Sequence, residues 1–93
     1  MQASTPNFGI IQSDVEDATS VVSVEGELDL STAPRLKWML VDSLAAGRKN
    51  QVIDLSDTTF MDSTALGVLV AVNRTLEEGS RLVIVCEIGR AHV

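Results

Sequence analysis

Apolar side chains fall on every second position at Val22, Val24 and Leu28, against Ser23, Glu25 and Glu27, with Gly26 in line. That period belongs to a strand with one buried face. Asn7 to Ser13 reads as an edge strand before it. The acid-rich Asp14-Val15-Glu16-Asp17 reads as the turn that joins the two in a hairpin. The period then changes. Ser31-Thr32-Ala33-Pro34 is a helix start: Ser31 or Thr32 can cap, and Pro34 is tolerated where its missing N–H would be unpaired anyway. Leu36, Met39 or Leu40, and Leu44 follow at helical spacing. Gly47 stops this helix, with Arg48 and Lys49 beside its negative end. Gln51 to Leu55 is a strand of the kind found centrally in parallel sheets. The next helix, about Ser63 to Glu78, is apolar on most sides through Leu66, Val68, Leu69, Val70, Val72 and Leu76. Such a helix is buried against a sheet and partly against something else. Gly79 closes it, and Arg81 to Cys86 is the last strand. The order β-β-α-β-α-β predicts an α/β fold, a mixed sheet with right-handed crossovers and helices on one side or both.

Composition narrows the function classes. The 93 residues make one small domain, 1–93, with residues 1–6 read as a flexible N-terminus and 87–93 as an atypical tail. Aromatic residues are only 3% of the chain, so its core is aliphatic, and the one tryptophan, Trp38, is expected to pack at the helix–sheet boundary. A net charge of −6 argues against a nucleic-acid partner and against an anionic membrane surface. The single cysteine, Cys86, follows Leu82-Val83-Ile84-Val85 and reads as a small core residue; one cysteine fits a reducing compartment. No apolar run reaches membrane-spanning length, and Met1 to Pro6 lacks the regions of a signal peptide, so a cytoplasmic location is expected.

No catalytic constellation stands out. The lone His92 lies in the tail and is read as a bystander. Asp29, Asp54, Asp57 and Asp62 are not backed by a His or Cys cluster of metal-ligating type, and the glycines form no nucleotide-binding pattern. The expectation is a non-enzyme with no metal and no cofactor.

Asp62, Ser63 and Thr64 stand where the strand gives way to the helix. Such residues are preferred helix caps, and Asp62 can accept from the N–H of Thr64 or Ala65. The same position gathers unpaired backbone N–H groups and the positive end of the helix dipole, so a hydroxyl there can carry a phosphoryl group. Phe60-Met61-Asp62-Ser63-Thr64-Ala65-Leu66-Gly67 resembles the phosphorylation-site motif of bacterial anti-sigma factor antagonists, which are single STAS domains. Gly26-Glu27-Leu28-Asp29, followed by Thr32-Ala33, resembles the same family's motif after its second strand. The resemblance runs from about Phe8 to about Cys86; the family often has Gly where this chain has Ala65.

The resemblance implies partner switching. The unphosphorylated domain binds an anti-sigma factor and so frees a sigma factor. The anti-sigma factor is also a serine kinase, and its target corresponds to Ser63. Phosphorylation ends binding, and a phosphatase acting on phospho-Ser63 restores it. Asp62 and Asp29 are implied as partner-binding residues, with Thr32 and Thr64 as neighbours. Two rival readings are a non-switching STAS scaffold and a domain that binds a small anion or nucleotide at the Asp62-Ser63 helix start. The resembled family continues past the last strand, whereas here Glu87 to Val93 departs from its pattern, as if truncated. Exposure is then expected at Leu69, Val72 and Leu76, or along Leu82–Val85, with a homodimer as one way to cover it.

Overall fold

Val22, Val24 and Leu28 of one strand meet Ile53 and Leu55 of the next in a single buried cluster, closed from above by Leu36, Leu40, Ala65, Leu69 and Val72. The computed structural model that shows this describes residues 8–86. Its elements are β1 (Phe8–Val15), β2 (Thr19–Leu28), α1 (Ala33–Ala45), β3 (Asn50–Met61), α2 (Ser63–Arg74) and β4 (Arg81–Val85). The sheet order is β1-β2-β3-β4. β1 pairs antiparallel with β2, while β2–β3 and β3–β4 are parallel. The α/β class, the element order and the mixed sheet match the expectation. Both helices supply the same buried cluster, so they form one layer on one face of the sheet.

The hairpin runs further than its sequence implies. Asp14 and Val15 belong to β1, where they pair with Ser20 and Thr19. The turn is confined to Glu16, Asp17 and Ala18, and both Asp17 (φ 63°) and Ala18 (φ 54°) take left-handed backbone. β3 also outruns its expected end at Leu55, reaching Met61. The polar stretch Ser56 to Thr59 carries no strand pattern, yet the ladder with β2 holds it out to Leu28↔Met61. That ladder slips between Ser23 and Glu25 and again between Gly26 and Glu27. Gly26 has a φ of 87° at the second slip, a geometry glycine adopts without penalty. The Thr58 hydroxyl donates to the Val24 carbonyl at 2.9 Å, so the irregular region is tied down.

α1 buries Ala33, Leu36, Leu40 and Ser43. Its C-terminus is a Schellman motif: Gly47 N–H donates to Leu44 O and Arg48 N–H to Ser43 O, with Gly47 at φ 94°. Trp38 is not at the helix–sheet boundary. It is 59% exposed, because a residue two beyond Leu36 projects from the opposite side of the helix. Lys37 covers its ring instead.

α2 ends at Arg74, four residues before Glu78. Thr75 stops it by returning its hydroxyl to the Val72 carbonyl at 2.7 Å, and Gly79 (φ 91°) serves the following turn rather than the helix end. The sheet claims one side of α2, Ala65, Leu69 and Val72, and leaves Leu66 and Val70 exposed. Of the exposures expected at this end, those of Leu69 and Val72 do not occur: they are 2% and 4% accessible. Val83, Ile84 and Val85 are exposed as expected. Cys86 is exposed rather than buried: among the described residues β4 pairs on one edge only, and of its side chains only Leu82 packs against the core. The expected start of β1 at Asn7, the flexible stretch 1–6, the tail 87–93 and His92 lie outside the described residues.

Candidate functional site

The parallel ladder brings the two acidic motifs together. Leu28 pairs with Met61 across β2 and β3, and Asp62 N–H donates to Leu28 O at 3.2 Å. Asp29 follows Leu28 and Asp62 follows Met61, so the two leave adjacent strands side by side at one end of the sheet. Asp62 is extended (φ −96°, ψ 178°) and is the N-cap of α2. Its carboxylate accepts the N–H of Ala65 at 3.0 Å, one of the two capping partners expected from the sequence.

Ser63 is the first residue of α2 and is exposed; its hydroxyl has no hydrogen-bond partner among the described residues. Thr64 beside it is also exposed. The Asp62 cap takes Ala65 N–H, and the N–H groups of Ser63 and Thr64 have no acceptor within the helix. The position therefore offers a free hydroxyl, adjacent backbone donors and the positive end of a helix dipole. A phosphoryl group on Ser63 would lie one residue from the Asp62 carboxylate.

Asp29 organises the entry to α1. Its Oδ1 accepts from Ser31 Oγ at 2.8 Å, Ser31 N–H at 3.0 Å and Thr32 N–H at 3.2 Å. The Ser31 hydroxyl foremost, with these amides, holds the Asp29 carboxyl below its ordinary value. Thr32 occupies the N-cap position of α1 but makes no side-chain capping bond, and Ser31 does not cap either. The reason is visible: the Thr32 hydroxyl turns back, donating to Glu27 O at 2.9 Å and accepting from Asp29 N–H at 2.8 Å. Asp29 and Thr32 thus fix the loop that stands beside Ser63.

Apolar side chains that periodicity does not single out surround this site. Leu30 is 70% exposed, Phe60 53% and Leu66 51%, all close in sequence to Asp29, Asp62 or Ser63. Leu30 carried a usable signal, an apolar residue between Asp29 and Ser31 outside any period. A second polar cluster occupies the opposite end of the sheet. Gln12 Nε2 donates to Ser20 Oγ and Ser43 Oγ, buried Gln51 donates to Ser43 Oγ and Arg48 O, and Arg48 pairs with Asp14 at 2.6 Å. A cleft of about 210 Å³ opens there. Among the described residues, no group of three or more His, Cys, Asp or Glu side chains could hold a metal ion, and no helix is long and apolar enough to cross a membrane.

A family model described as Mlab, STAS domain matches residues 11–87. The chain belongs to the STAS domain family. This STAS chain is 31% identical over 71 residues to the anti-sigma-B factor antagonist of Staphylococcus aureus (strain NCTC 8325 / PS 47), covering 76% of this chain and 66% of that relative. The Staphylococcus epidermidis protein of the same name is 32% identical over 71 residues. The matched part is thus just under two thirds of these relatives' length. Among solved structures, an anti-sigma factor antagonist from Mycobacterium paratuberculosis superposes with a TM-score of 0.80 at 32% identity, over 91% of this chain and 73% of that one. The Bacillus cell fate determinant SpoIIAA, in its phosphorylated form, shares the fold with a TM-score of 0.68 at 22% identity, over 83% of this chain and 70% of that one.

Proposed function

We propose that this chain is an anti-sigma factor antagonist that works by partner switching. Unphosphorylated, it binds an anti-sigma factor and so releases a sigma factor. Phosphorylation of Ser63 by that anti-sigma factor, acting as a serine kinase, ends binding, and a phosphatase acting on phospho-Ser63 restores it. The observation that carries the reading is the exposed Ser63 hydroxyl, without a partner among the described residues, on the first turn of α2, directly after a capping Asp62. The anti-sigma factor antagonists of Staphylococcus and Mycobacterium at 31% and 32% identity support the general role.

The chemistry of the switch is electrostatic. A phosphoserine adds about −1.5 to −2 charge. On Ser63 that charge joins Asp62 and Asp29 at one end of a chain that already carries −6. An interface fitted to a neutral hydroxyl then meets repulsion and a charge that is expensive to desolvate. Asp29, Asp62, Thr32 and Thr64 are proposed to frame the contact, and Ser63 is the acceptor. A sigma-factor circuit operates in the cytoplasm, which is the proposed location.

The test is phosphate transfer. The chain, incubated with ATP and an anti-sigma factor kinase of its own organism, should gain one phosphate, located on Ser63 by mass spectrometry and absent from Ser63→Ala. Binding without transfer would favour a scaffold instead. A thermal shift with inorganic phosphate alone, and no partner binding, would favour a small-anion site.

A further inference from the structure

α2 has a glycine near its middle that nothing among the described residues requires. Gly67 is the fifth residue of Ser63–Arg74, and its φ lies outside the left-handed region. It forms no cap, turn or bulge. A Cβ at this position would meet no atom of the described residues within 4 Å, so no neighbour among them needs the space. An exposed glycine inside a helix lowers the folding equilibrium about fivefold relative to alanine. The missing side chain weakens the fold and relieves no crowding within it.

Helical geometry puts Gly67 on the same outward stripe as Ser63. Four residues at 3.6 per turn separate them by about 40° around the axis and about 6 Å along it. Leu66 and Val70, 51% and 45% exposed, flank Gly67, while Ala65, Leu69 and Val72 turn into the core. Any protein that brings a catalytic centre to the Ser63 hydroxyl must cover the first two turns of α2. Gly67 then lies under it, between two apolar side chains.

From this we infer that Gly67 is the point of closest backbone approach for the anti-sigma factor, which seats an apolar ridge between Leu66 and Val70. The inference rests on Ser63 being that partner's target. Glu27, Asp29 and Asp62 border the same end of the sheet, and with a net charge of −6 they select a partner whose ridge is flanked by basic side chains. A side chain at position 67 fills the seat. It strengthens the helix and weakens the complex, so folding and binding should move in opposite directions.

Gly67→Ala and Gly67→Met test this. Urea unfolding is measured alongside calorimetric titration with a purified anti-sigma factor kinase of the same organism and ADP, with wild type and Ser63→Glu as references. Gly67→Ala should raise the folding equilibrium constant about fivefold and weaken binding about three- to tenfold. Gly67→Met should fold at least as well as wild type and weaken binding about 30-fold or more. If both variants bind as tightly as wild type while Ser63→Glu does not, the inference about Gly67 is wrong and the switch stands. If Gly67→Ala unfolds more easily than wild type, the glycine serves the fold and the inference is again wrong. If no anti-sigma factor of the organism binds wild type, the partner-switching reading fails and takes this inference with it.

Discussion

Replacing Asp62 by alanine removes the side-chain N-cap of α2. The carboxylate accepts Ala65 N–H at 3.0 Å, and Ala65 is fully buried, so water cannot easily take over the bond. Loss of an N-cap costs about 0.5–2 kcal/mol, and an N–H left unpaired at a buried residue puts Asp62→Ala in the upper half of that range. At about 1–2 kcal/mol, a domain of this size should melt roughly 10 °C lower. Asp62→Asn keeps an oxygen acceptor in place, and asparagine caps as well as aspartate. It loses only the charge at the helix N-terminus, about 0.3–1 kcal/mol, so it should fall well short of the alanine effect. Ser63→Ala is the control: the side chain is exposed and unpartnered, and stability should stay within about 0.5 kcal/mol. Thermal unfolding of the four proteins by far-UV circular dichroism reads all of this. A melting point for Asp62→Ala within a degree of wild type, or Asp62→Asn as damaging as Asp62→Ala, would refute the capping role.

Three further outcomes follow from local geometry. Ala18 has left-handed backbone in the β1–β2 turn, so Ala18→Gly should raise stability by about 0.5–1 kcal/mol in urea unfolding, the relieved strain exceeding the added freedom of the unfolded chain; a loss of stability would contradict that turn. Hydrogen bonds lower the folded-state pKa of Asp14 (from Arg48), Asp29 (from the Ser31 hydroxyl) and Asp54 (from Ser56) below 3.8. Their stabilisation is complete above the unfolded-state value and is lost as pH falls through the lower folded-state values, so the urea midpoint should drop below about pH 4, and an Asp14→Asn, Asp29→Asn, Asp54→Asn variant should show a flatter drop. Val83, Ile84 and Val85 are exposed on a strand that pairs on one edge only among the described residues, so the chain should self-associate at micromolar concentration and Val85→Lys should reverse this; equal sedimentation of both as monomers would argue against association.

Much of the fold could be read from spacing because its signals are local. The alternation through Val22 and Val24, the Leu36–Leu40 face and the Gly47 stop each depend on neighbours within a turn or two of chain. The site was legible for the same reason: Asp62 caps and Ser63 begins α2 as the residue types require. What escaped was set by distant parts of the chain. Ser56 to Met61 has no strand period and is extended only because β2 runs beside it. α2 looked apolar on most sides, but the sheet supplies cover for one, and Thr75 ends the helix with a hydroxyl bond that periodicity does not encode. The chemistry of Trp38 suggests packing at the helix–sheet boundary, but its helical phase relative to Leu36 points it outward. Cys86 follows four apolar residues, but at the edge of the described sheet only Leu82 of them packs against the core.

The most direct test of the switch compares the two forms of one protein. The chain is phosphorylated on Ser63, purified away from the unmodified form, and each is titrated into an anti-sigma factor kinase of the same organism with ADP in a calorimeter. The unmodified chain should bind, and the phosphorylated chain should bind at least about tenfold more weakly, a loss of about 1.4 kcal/mol or more. Phosphatase treatment should restore the first titration. Equal affinities for the two forms would contradict the switch at Ser63.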